Sequence, residues 1–317
     1  MSEANQRQYK REFFGPQLQW CRDLLGGLVT MERQMTEATS SALLVVRAHL
    51  AGGARMLVLR VHTNDEWLAR EPDLAAREAA VLELLAPTPV PAPGLVAVDP
   101  DGSAAGRPCV LMERLPGRPL LTAPDREAYV AALAALTHTI HAVPAPQLRL
   151  FSRYNAVDGL PCPSWFADES LWDRALAAIR GHMPDWSNDE SCLVHRDFHP
   201  LNVLFDVDPG APTVSGVVDW LEACRGPIDA DIAHCRMNLA TVFDADVADA
   251  FLAACALEHS YDPVWDLVSG TDFYDPHDEP HSALPFRAVG ATWLTDTDYV
   301  ANHQAFVARA LSALGGS

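Results

Sequence analysis

The sequence has few cysteines, and none of them are arranged as closely spaced pairs. Seven occur in 317 residues, without any Cys-x-x-Cys spacing. Small secreted domains are usually held together by dense disulfides, and structural zinc sites need closely spaced cysteine pairs. Both classes are therefore excluded, and we expect reduced thiols in a cytoplasmic protein.

Long hydrophobic runs are also absent. The most apolar region, residues 42–62, is interrupted by four basic residues, and the first residues carry no apolar segment typical of a signal peptide. A helix that spans a membrane needs about 20 consecutive, mainly apolar residues. The sequence therefore predicts neither a membrane span nor a membrane partner.

Positive charge is scarce. Lys and Arg number 23 against 42 Asp and Glu, which gives a formal net charge of −19. Such a charge repels phosphate backbones and anionic lipid surfaces, so we expect no nucleic-acid partner. It favours cationic small molecules instead. The hydrophobic content of 49% is that of a globular protein, and the length suits one or two domains.

The predicted secondary structure changes from mainly strands to mainly helices about one third of the way along the chain. Apolar runs at 42–49 and 55–62 flank a Gly-Gly turn and predict a β-hairpin, and residues 73–86 predict a helix. Further elements are predicted as short strands near 95–98 and 109–112, and as helices at 125–141, 165–183, 229–241, 244–258 and 296–314. We therefore predict an α+β protein with an N-terminal domain at 1–115 and a helical domain at 116–317.

The strongest chemical signal is the run from His195 to Asn202, named here the catalytic loop. It has the pattern H-R-D-x-x-x-x-N, which is found in the catalytic loops of protein kinases. Two short apolar segments, 203–205 and 214–218, follow it and predict a hairpin. Antiparallel pairing would bring Asp219 next to Asn202.

Asp197, Asn202 and Asp219 are thus predicted to face one point. A carboxylate and an amide oxygen are suitable ligands for Mg²⁺, and Asp197 can accept the proton of a substrate hydroxyl. Each residue alone has a structural explanation as a turn former or cap, but the combined spacing favours the functional interpretation. His195 and His199 are four residues apart, yet Pro200 excludes a zinc-binding helix.

A second pair of residues is predicted in the N-terminal domain. Arg60 ends an apolar strand, and Glu78 lies on the apolar face of the predicted helix. A buried carboxylate is costly unless it is paired. Arg60 is the expected partner, and the pair would present a fixed cation to nucleotide phosphates. Alternatively, Glu78 reaches the helix edge near Arg77 and contributes only to stability.

Together these motifs resemble the aminoglycoside phosphotransferase family, the small-molecule kinases of the protein-kinase-like fold. The resemblance implies a bilobal protein with a small β-rich N-terminal lobe and a larger, mainly helical C-terminal lobe. It implies that Asp197 is the catalytic base and that Asn202 and Asp219 hold Mg²⁺. It also identifies Arg60 and Glu78 as the basic and acidic pair that handles the nucleotide phosphates.

The same resemblance assigns residues 112–117 to a hinge between the lobes, where the backbone of Glu113 and Leu115 would bond the adenine of ATP. GTP is an alternative nucleotide. Asp231 matches an aspartate that braces the catalytic loop, although the residues alone fit an acid in the first turn of a helix equally well. Only eight positions separate Asp219 from Pro227, which disfavours an activation loop and a protein substrate.

Two departures from the family concern phosphate binding. Family members carry glycines in the turn between the first two strands, whereas residues 35–41 contain none and include Glu37. Ser40 and Ser41 are the candidate hydroxyl donors in place of glycine N–H groups. The second departure is Arg60 itself, because arginine replaces the usual lysine. We expect both to affect ATP affinity.

The sequence therefore predicts ATP- and Mg²⁺-dependent transfer of the γ-phosphate to a hydroxyl of a small molecule, such as an aminoglycoside or another antibiotic. Acidic residues at 158–190 and 272–279 would attract an amine if they line the cleft, but such runs are more often solvated faces. Two alternatives stay open: a metabolic kinase for choline, homoserine or a sugar, and a nucleotide-binding pseudokinase. The oligomeric state is also open.

Overall fold

The chain forms two compact units, Met1–Leu115 and Pro116–Ser317, in a computed structural model. The structure describes residues 11–35, 41–122, 125–183, 192–206, 212–272 and 282–315. Among the helices in these ranges, none has both the length and the apolar character needed to cross a bilayer. All seven cysteines lie in described parts of the chain and are free thiols, as predicted.

The described residues of the N-terminal unit form a five-stranded antiparallel sheet and three α-helices. These elements are β1 (Leu28–Met35), β2 (Ala42–Leu50), β3 (Gly53–Val61), β4 (Leu95–Asp99), β5 (Cys109–Glu113), α1 (Gly15–Leu25), α2 (Asp65–Arg70) and α3 (Leu74–Leu85). The strands are ordered β1-β2-β3-β5-β4 across the sheet. The β-rich character predicted for this part of the chain is confirmed.

The predicted β2–β3 hairpin is present over its full length. Pairing runs from Ala42 opposite Val61 to Leu50 opposite Gly53. Gly53 has a φ of +120°, a backbone conformation that glycine adopts without strain. The apolar side chains that predicted the strands form the core of this unit, with Leu44, Val46, Ala48, Leu57, Leu59 and Val61 almost fully buried.

Helix α1 was not predicted, and strand β1 was given no range. The buried side of α1 includes Gln17, which donates to the carbonyl of Ala105 at 2.8 Å, so a polar residue interrupts its apolar stripe. Strand β1 has an irregular register between Met31 and Arg33, which breaks the two-residue alternation of a regular strand. The break in register removes the periodicity on which prediction of β1 depends. Helix α1 keeps Leu18, Cys21 and Leu25 at helical spacing against the core, with Gln17 beside them.

The C-terminal unit is mainly helical, with two small antiparallel sheets. Its elements are α4 (Arg126–His141), α5 (Glu169–His182), β6 (Cys192–Val194), β7 (Val203–Asp206), β8 (Thr213–Val217), β9 (Cys224–Gly226), α6 (Ile228–Val242), α7 (Ala245–Ala254), α8 (Val264–Asp272), α9 (Leu284–Ala288) and α10 (Asp296–Gly315). The sheets pair β6 with β9 and β7 with β8. The five predicted helices are present, while α8 and α9 were not predicted.

Helix α6 is the centre of this unit and packs against α7, α8 and α10. Every residue from Asp229 to Val242 is buried. A helix enclosed on all sides has no solvent face, and its buried polar residues must find partners inside the protein. Asp231 and His234 are two of them, and both partners lie on the catalytic loop.

We expect Leu59→Ala to destabilise the N-terminal unit by about 2–5 kcal/mol, because it leaves a cavity in a fully buried position of β3. Urea unfolding followed by circular dichroism measures this loss. The matched control is Leu28→Ala, at a leucine that is 58% exposed, which should change the free energy of unfolding by less than about 0.5 kcal/mol. Equal effects of the two variants would contradict the observed packing.

Candidate active site

The catalytic loop follows β6, and its backbone is held by the carboxylate of Asp231 on α6. One carboxylate oxygen accepts the N–H of His195 at 2.8 Å, and the other accepts the N–H of Arg196 at 2.6 Å. The Nε2 atom of His141 lies 3.0 Å from the same carboxylate. These contacts confirm Asp231 as the brace of the loop.

Asp231 is fully buried, yet it remains an acceptor. Burial alone raises the pKa of this carboxyl, but the contacts with His141 and the His195 N–H outweigh it, and the pKa is lowered. The ionised form is the one that the loop requires, because a carboxylate can accept several N–H donors and donates none.

Arg196 turns the loop in a conformation that is rare for a residue with a side chain. Its φ is +68°, and its guanidinium donates to Glu222 at 2.8 Å and stacks on the Tyr154 ring at 3.6 Å. A further contact joins this guanidinium to the carbonyl of Ser152. Such strain persists only where surrounding contacts impose it, and it is common at functional sites. This arginine lies inside the catalytic motif, but the motif by itself predicts no role for its side chain.

Asp197 follows directly, and its side chain is 28% exposed. Its Oδ2 accepts the Asn202 amide N–H at 3.0 Å, while its Oδ1 lies 3.2 Å from Nε2 of His234 and 3.5 Å from Nε2 of His199. Burial raises the pKa of Asp197, but the two histidines together lower it well below its usual value. Asp197 is thus an oriented, ionised carboxylate with one side open to solvent.

The hairpin predicted after the loop is present. Val203 in β7 pairs with Val217 in β8, and the Val218 N–H donates to the Asn202 carbonyl at 2.9 Å. Asp219 therefore follows immediately after the residue that is bonded to Asn202. Its φ of +68° places it in the left-handed region at the start of a short 3₁₀ turn.

The histidine that opens the loop ties it to this hairpin. Nε2 of His195 lies 2.9 Å from the carbonyl oxygen of Val218, and its Nδ1 accepts the N–H of Asp197 at 3.3 Å. The His195 ring is fully buried, and its centroid lies 4.5 Å from that of Trp220. This histidine is a structural link, and no metal is needed to explain its presence.

In the N-terminal unit, Arg60 and Glu78 form the predicted ion pair. The guanidinium Nε lies 3.0 Å from a carboxylate oxygen of Glu78, and the two side chains are 3% and 1% exposed. The alternative in which Glu78 reaches the helix edge near Arg77 is wrong, because Arg77 bonds Glu71 at 2.6 Å instead. Arg60 also donates through Nη1 to the Ser41 hydroxyl at 3.1 Å.

The remaining predicted nucleotide contacts are partly described. Ser40 and Glu37 lie outside the described residues. Glu113 ends β5, and its N–H donates to the Gly94 carbonyl at 2.8 Å. Leu115 is the last residue of the N-terminal unit and is partly buried.

Two of the acidic residues that could attract an amine have structural contacts instead. Asp168 caps α5 by accepting the Leu171 N–H at 2.9 Å. Asp272 is buried, and its carboxylate accepts the backbone N–H groups of Tyr154 and Asn155. The other acids of these runs that fall in 184–191 and 273–281 lie outside the described residues.

Comparisons with known proteins agree with this geometry. The model of one family, described as the phosphotransferase enzyme family (APH), matches residues 44–264. No sequence among the curated proteins matches the chain.

Solved structures of aminoglycoside phosphotransferases are similar over most of the chain. A thermostable mutant of APH(4)-Ia, in a complex with ADP and hygromycin B, has a TM-score of 0.60 at 18% identity and covers 93% of this chain and 97% of its own. The GDP complex of an aminoglycoside 2′-phosphotransferase-IIIa mutant has a TM-score of 0.58 at 17% identity, covering 90% and 94%. An aminoglycoside-3′-phosphotransferase of type VIII has a TM-score of 0.54 at 22% identity, covering 79% and 97%.

At these identities the structural likeness establishes the fold, which is the kinase-like fold predicted from the sequence. The family match spans well over half of the chain and includes the catalytic loop and its hairpin. The chain therefore belongs to the phosphotransferase enzyme family, the family of the aminoglycoside phosphotransferases.

Proposed function

We propose that this phosphotransferase moves the γ-phosphate of ATP to a hydroxyl group of a small molecule, with Asp197 as the base. The observation that carries the proposal is the state of that carboxylate. It is ionised, fixed by Asn202 and His234, and partly open to solvent. A braced carboxylate of this kind is what the orientation of an acceptor hydroxyl requires.

The hydrogen bonds of the Asp197 carboxylate leave one acceptor position for a substrate hydroxyl. An ionised carboxylate offers about four acceptor positions, and the donors described here, Asn202, His234 and His199, take three. The fourth is available for the acceptor O–H. The low pKa makes Asp197 a weak base, which suits phosphoryl transfer because positioning and electrostatics supply most of the catalysis.

Asn202 and Asp219 fit a magnesium ion by the chemistry of their atoms. The side-chain amide nitrogen of Asn202 donates to Asp197. The side-chain oxygen of Asn202, Oδ1, is therefore the atom left for a metal. That oxygen and the Asp219 carboxylate are hard ligands of the kind that Mg²⁺ prefers. When bound, the ion would neutralise charge on the phosphates.

Arg60 supplies the cation for the nucleotide phosphates in this proposal. Its guanidinium is held by Glu78 and by the Ser41 hydroxyl, so its orientation is fixed before a nucleotide binds. The Ser41 O–H can still donate to a phosphate, and Ser40 is proposed for the same role.

The hinge at 112–117 is proposed to bond the adenine. The Glu113 N–H is used by Gly94, so the Glu113 carbonyl and the Leu115 N–H are the atoms assigned to the base. ATP is the proposed donor and GTP the alternative, since related structures contain ADP and GDP.

The acceptor is proposed to be a small hydroxyl-bearing molecule with cationic groups, such as an aminoglycoside antibiotic. The net charge of −19 supports a cation, and a related structure contains hygromycin B. The seven free thiols support a cytoplasmic location.

The proposal is tested by supplying Mg²⁺-ATP with a panel of aminoglycosides, macrolides, choline, homoserine and sugars, and following product mass. We expect one acceptor to gain a phosphoryl group, and Asp197→Asn to lower kcat about 10²- to 10⁴-fold because the base is lost. The control is Asp158→Asn, at a carboxylate that is 90% exposed, which should keep wild-type activity. Near-normal turnover by Asp197→Asn would contradict the assigned base.

We expect Asp219→Ala to abolish turnover and to remove the effect of Mg²⁺ on ATP binding, because a ligand of the ion is lost. Calorimetric titration of ATP with and without Mg²⁺ measures this. The matched control is Asp206→Ala, an exposed aspartate at the end of β7, which should retain the Mg²⁺ effect. Unchanged Mg²⁺ dependence in Asp219→Ala would disprove its role as a ligand.

We expect Glu78→Gln to raise the KM for ATP about tenfold while kcat changes little, since the ion pair that orients Arg60 is lost. Steady-state kinetics measures both constants, and thermal unfolding verifies that the variant is folded at the assay temperature. Glu83→Gln is the control, because Glu83 lies on the same helix and is exposed. A kcat loss at constant KM would contradict the phosphate-handling role.

A further inference from the structure

His234 is a buried histidine on α6 that the proposed mechanism does not yet use. It is 4% exposed, and its Nε2 lies 3.2 Å from Oδ1 of Asp197. It follows Asp231 by three residues, so the two side chains lie on the same face of the helix. Helix α6 therefore holds the catalytic loop twice: Asp231 bonds the loop backbone, and His234 bonds the side chain of the base.

The hydrogen bonds determine which nitrogen of His234 carries the proton. Burial lowers its pKa, so the ring is neutral and has a single N–H. The ionised carboxylate of Asp197 only accepts, so the proton lies on Nε2. Nδ1 then lies 3.5 Å from the Ser269 hydroxyl, whose O–H also reaches the sulfur of Met237 at 3.6 Å. The side-chain nitrogen Nδ2 of Asn238 lies 3.3 Å from Nε2 of His234, and it donates to the backbone carbonyl of His234 at 3.0 Å.

A small cavity lies next to the His234 ring. A cavity of about 20 Å³ borders His234 together with Ser269, Trp265 and Asp272. This volume holds about one water molecule.

We propose that His234 is a positioning residue, whose Nε2–H fixes Oδ1 of Asp197 so that the open side of the carboxylate faces the acceptor hydroxyl. This inference rests on the proposed function, in which Asp197 is the base. The bond to His234 is the shorter of two histidine contacts to Oδ1, since His199 lies 3.5 Å from that oxygen and Asn202 holds the other one.

A metal site is the competing explanation for the same cluster. One ligand atom from each of Asp197, His199 and His234 lies within 4.8 Å of the others, and two histidines with a carboxylate form a known set of transition-metal ligands. However, a neutral imidazole that binds a metal through Nε2 carries its proton on Nδ1. Nδ1 of His199 already accepts the Leu201 N–H at 3.3 Å, so its proton is on Nε2. The geometry favours hydrogen bonds over a metal.

The test compares His234→Met with His234→Gln. Methionine and glutamine have similar shapes, but only glutamine can donate an N–H to Asp197. We expect His234→Met to lower kcat about 10- to 100-fold with little change in the KM for ATP, and His234→Gln to recover most of that loss. A role in packing alone would affect both variants equally. His182→Met is the control, because His182 is an exposed histidine that contacts Asp262 at 3.2 Å.

A second measurement reports the bond independently of activity. Long-range ¹H–¹⁵N spectra of the histidine rings should assign His234 as the Nε2–H tautomer, with a ring signal that shifts in Asp197→Ala. A proton on Nδ1, or a spectrum insensitive to Asp197→Ala, would overturn the inference. So would tight Zn²⁺ binding that is lost in His234→Met, because it would identify a metal site.

The outcomes separate the two proposals. A wild-type protein that phosphorylates no acceptor would contradict the proposed function, while the spectra would still decide whether His234 bonds Asp197. An active wild-type protein with an equally active His234→Met variant would contradict the positioning role alone.

Discussion

The catalytic loop depends on one buried carboxylate. Asp231 accepts the N–H groups of two successive loop residues, and neither could be buried here without an acceptor. The contact with His141 keeps the carboxylate charged in an apolar interior. Because Asp231 fixes the loop backbone, Arg196 can hold its left-handed conformation and Asp197 can project toward solvent.

Charge burial is handled by the same principle in both units. In the N-terminal unit, Arg60 and Glu78 are almost fully buried and form an ion pair. In the C-terminal unit, Asp197 is surrounded by two histidines and an amide. Removing one member of such a group leaves an uncompensated polar atom, which is far more costly than losing an exposed ion pair. Substituting a residue that is predicted to carry chemistry is therefore also expected to destabilise the fold.

Much of the architecture was predictable because its signals are local. Alternating and continuous apolar runs identified β2, β3 and α3, and the turn-rich segment between β7 and β8 identified the hairpin that brings Asp219 to Asn202. Helix α6 is enclosed on every side, so it does not follow a simple amphipathic pattern. The sequence still predicted a helix at 229–241, and the family resemblance assigned Asp231 to the loop, but nothing in the sequence indicated that His234 also contacts it.

The sequence by itself determined the reaction class, because the H-R-D-x-x-x-x-N spacing and the following hairpin are fixed by positions close together in the chain. It also predicted the pairing of Arg60 with Glu78, since a carboxylate on an apolar helix face requires a cation, and the structure decided between Arg60 and Arg77. Only the tertiary structure decided that His234 contacts Asp197, because 37 residues separate them in sequence and no local periodicity encodes that approach. Contacts of this range follow from how α6 packs beneath the loop, and packing is a property of the whole folded unit.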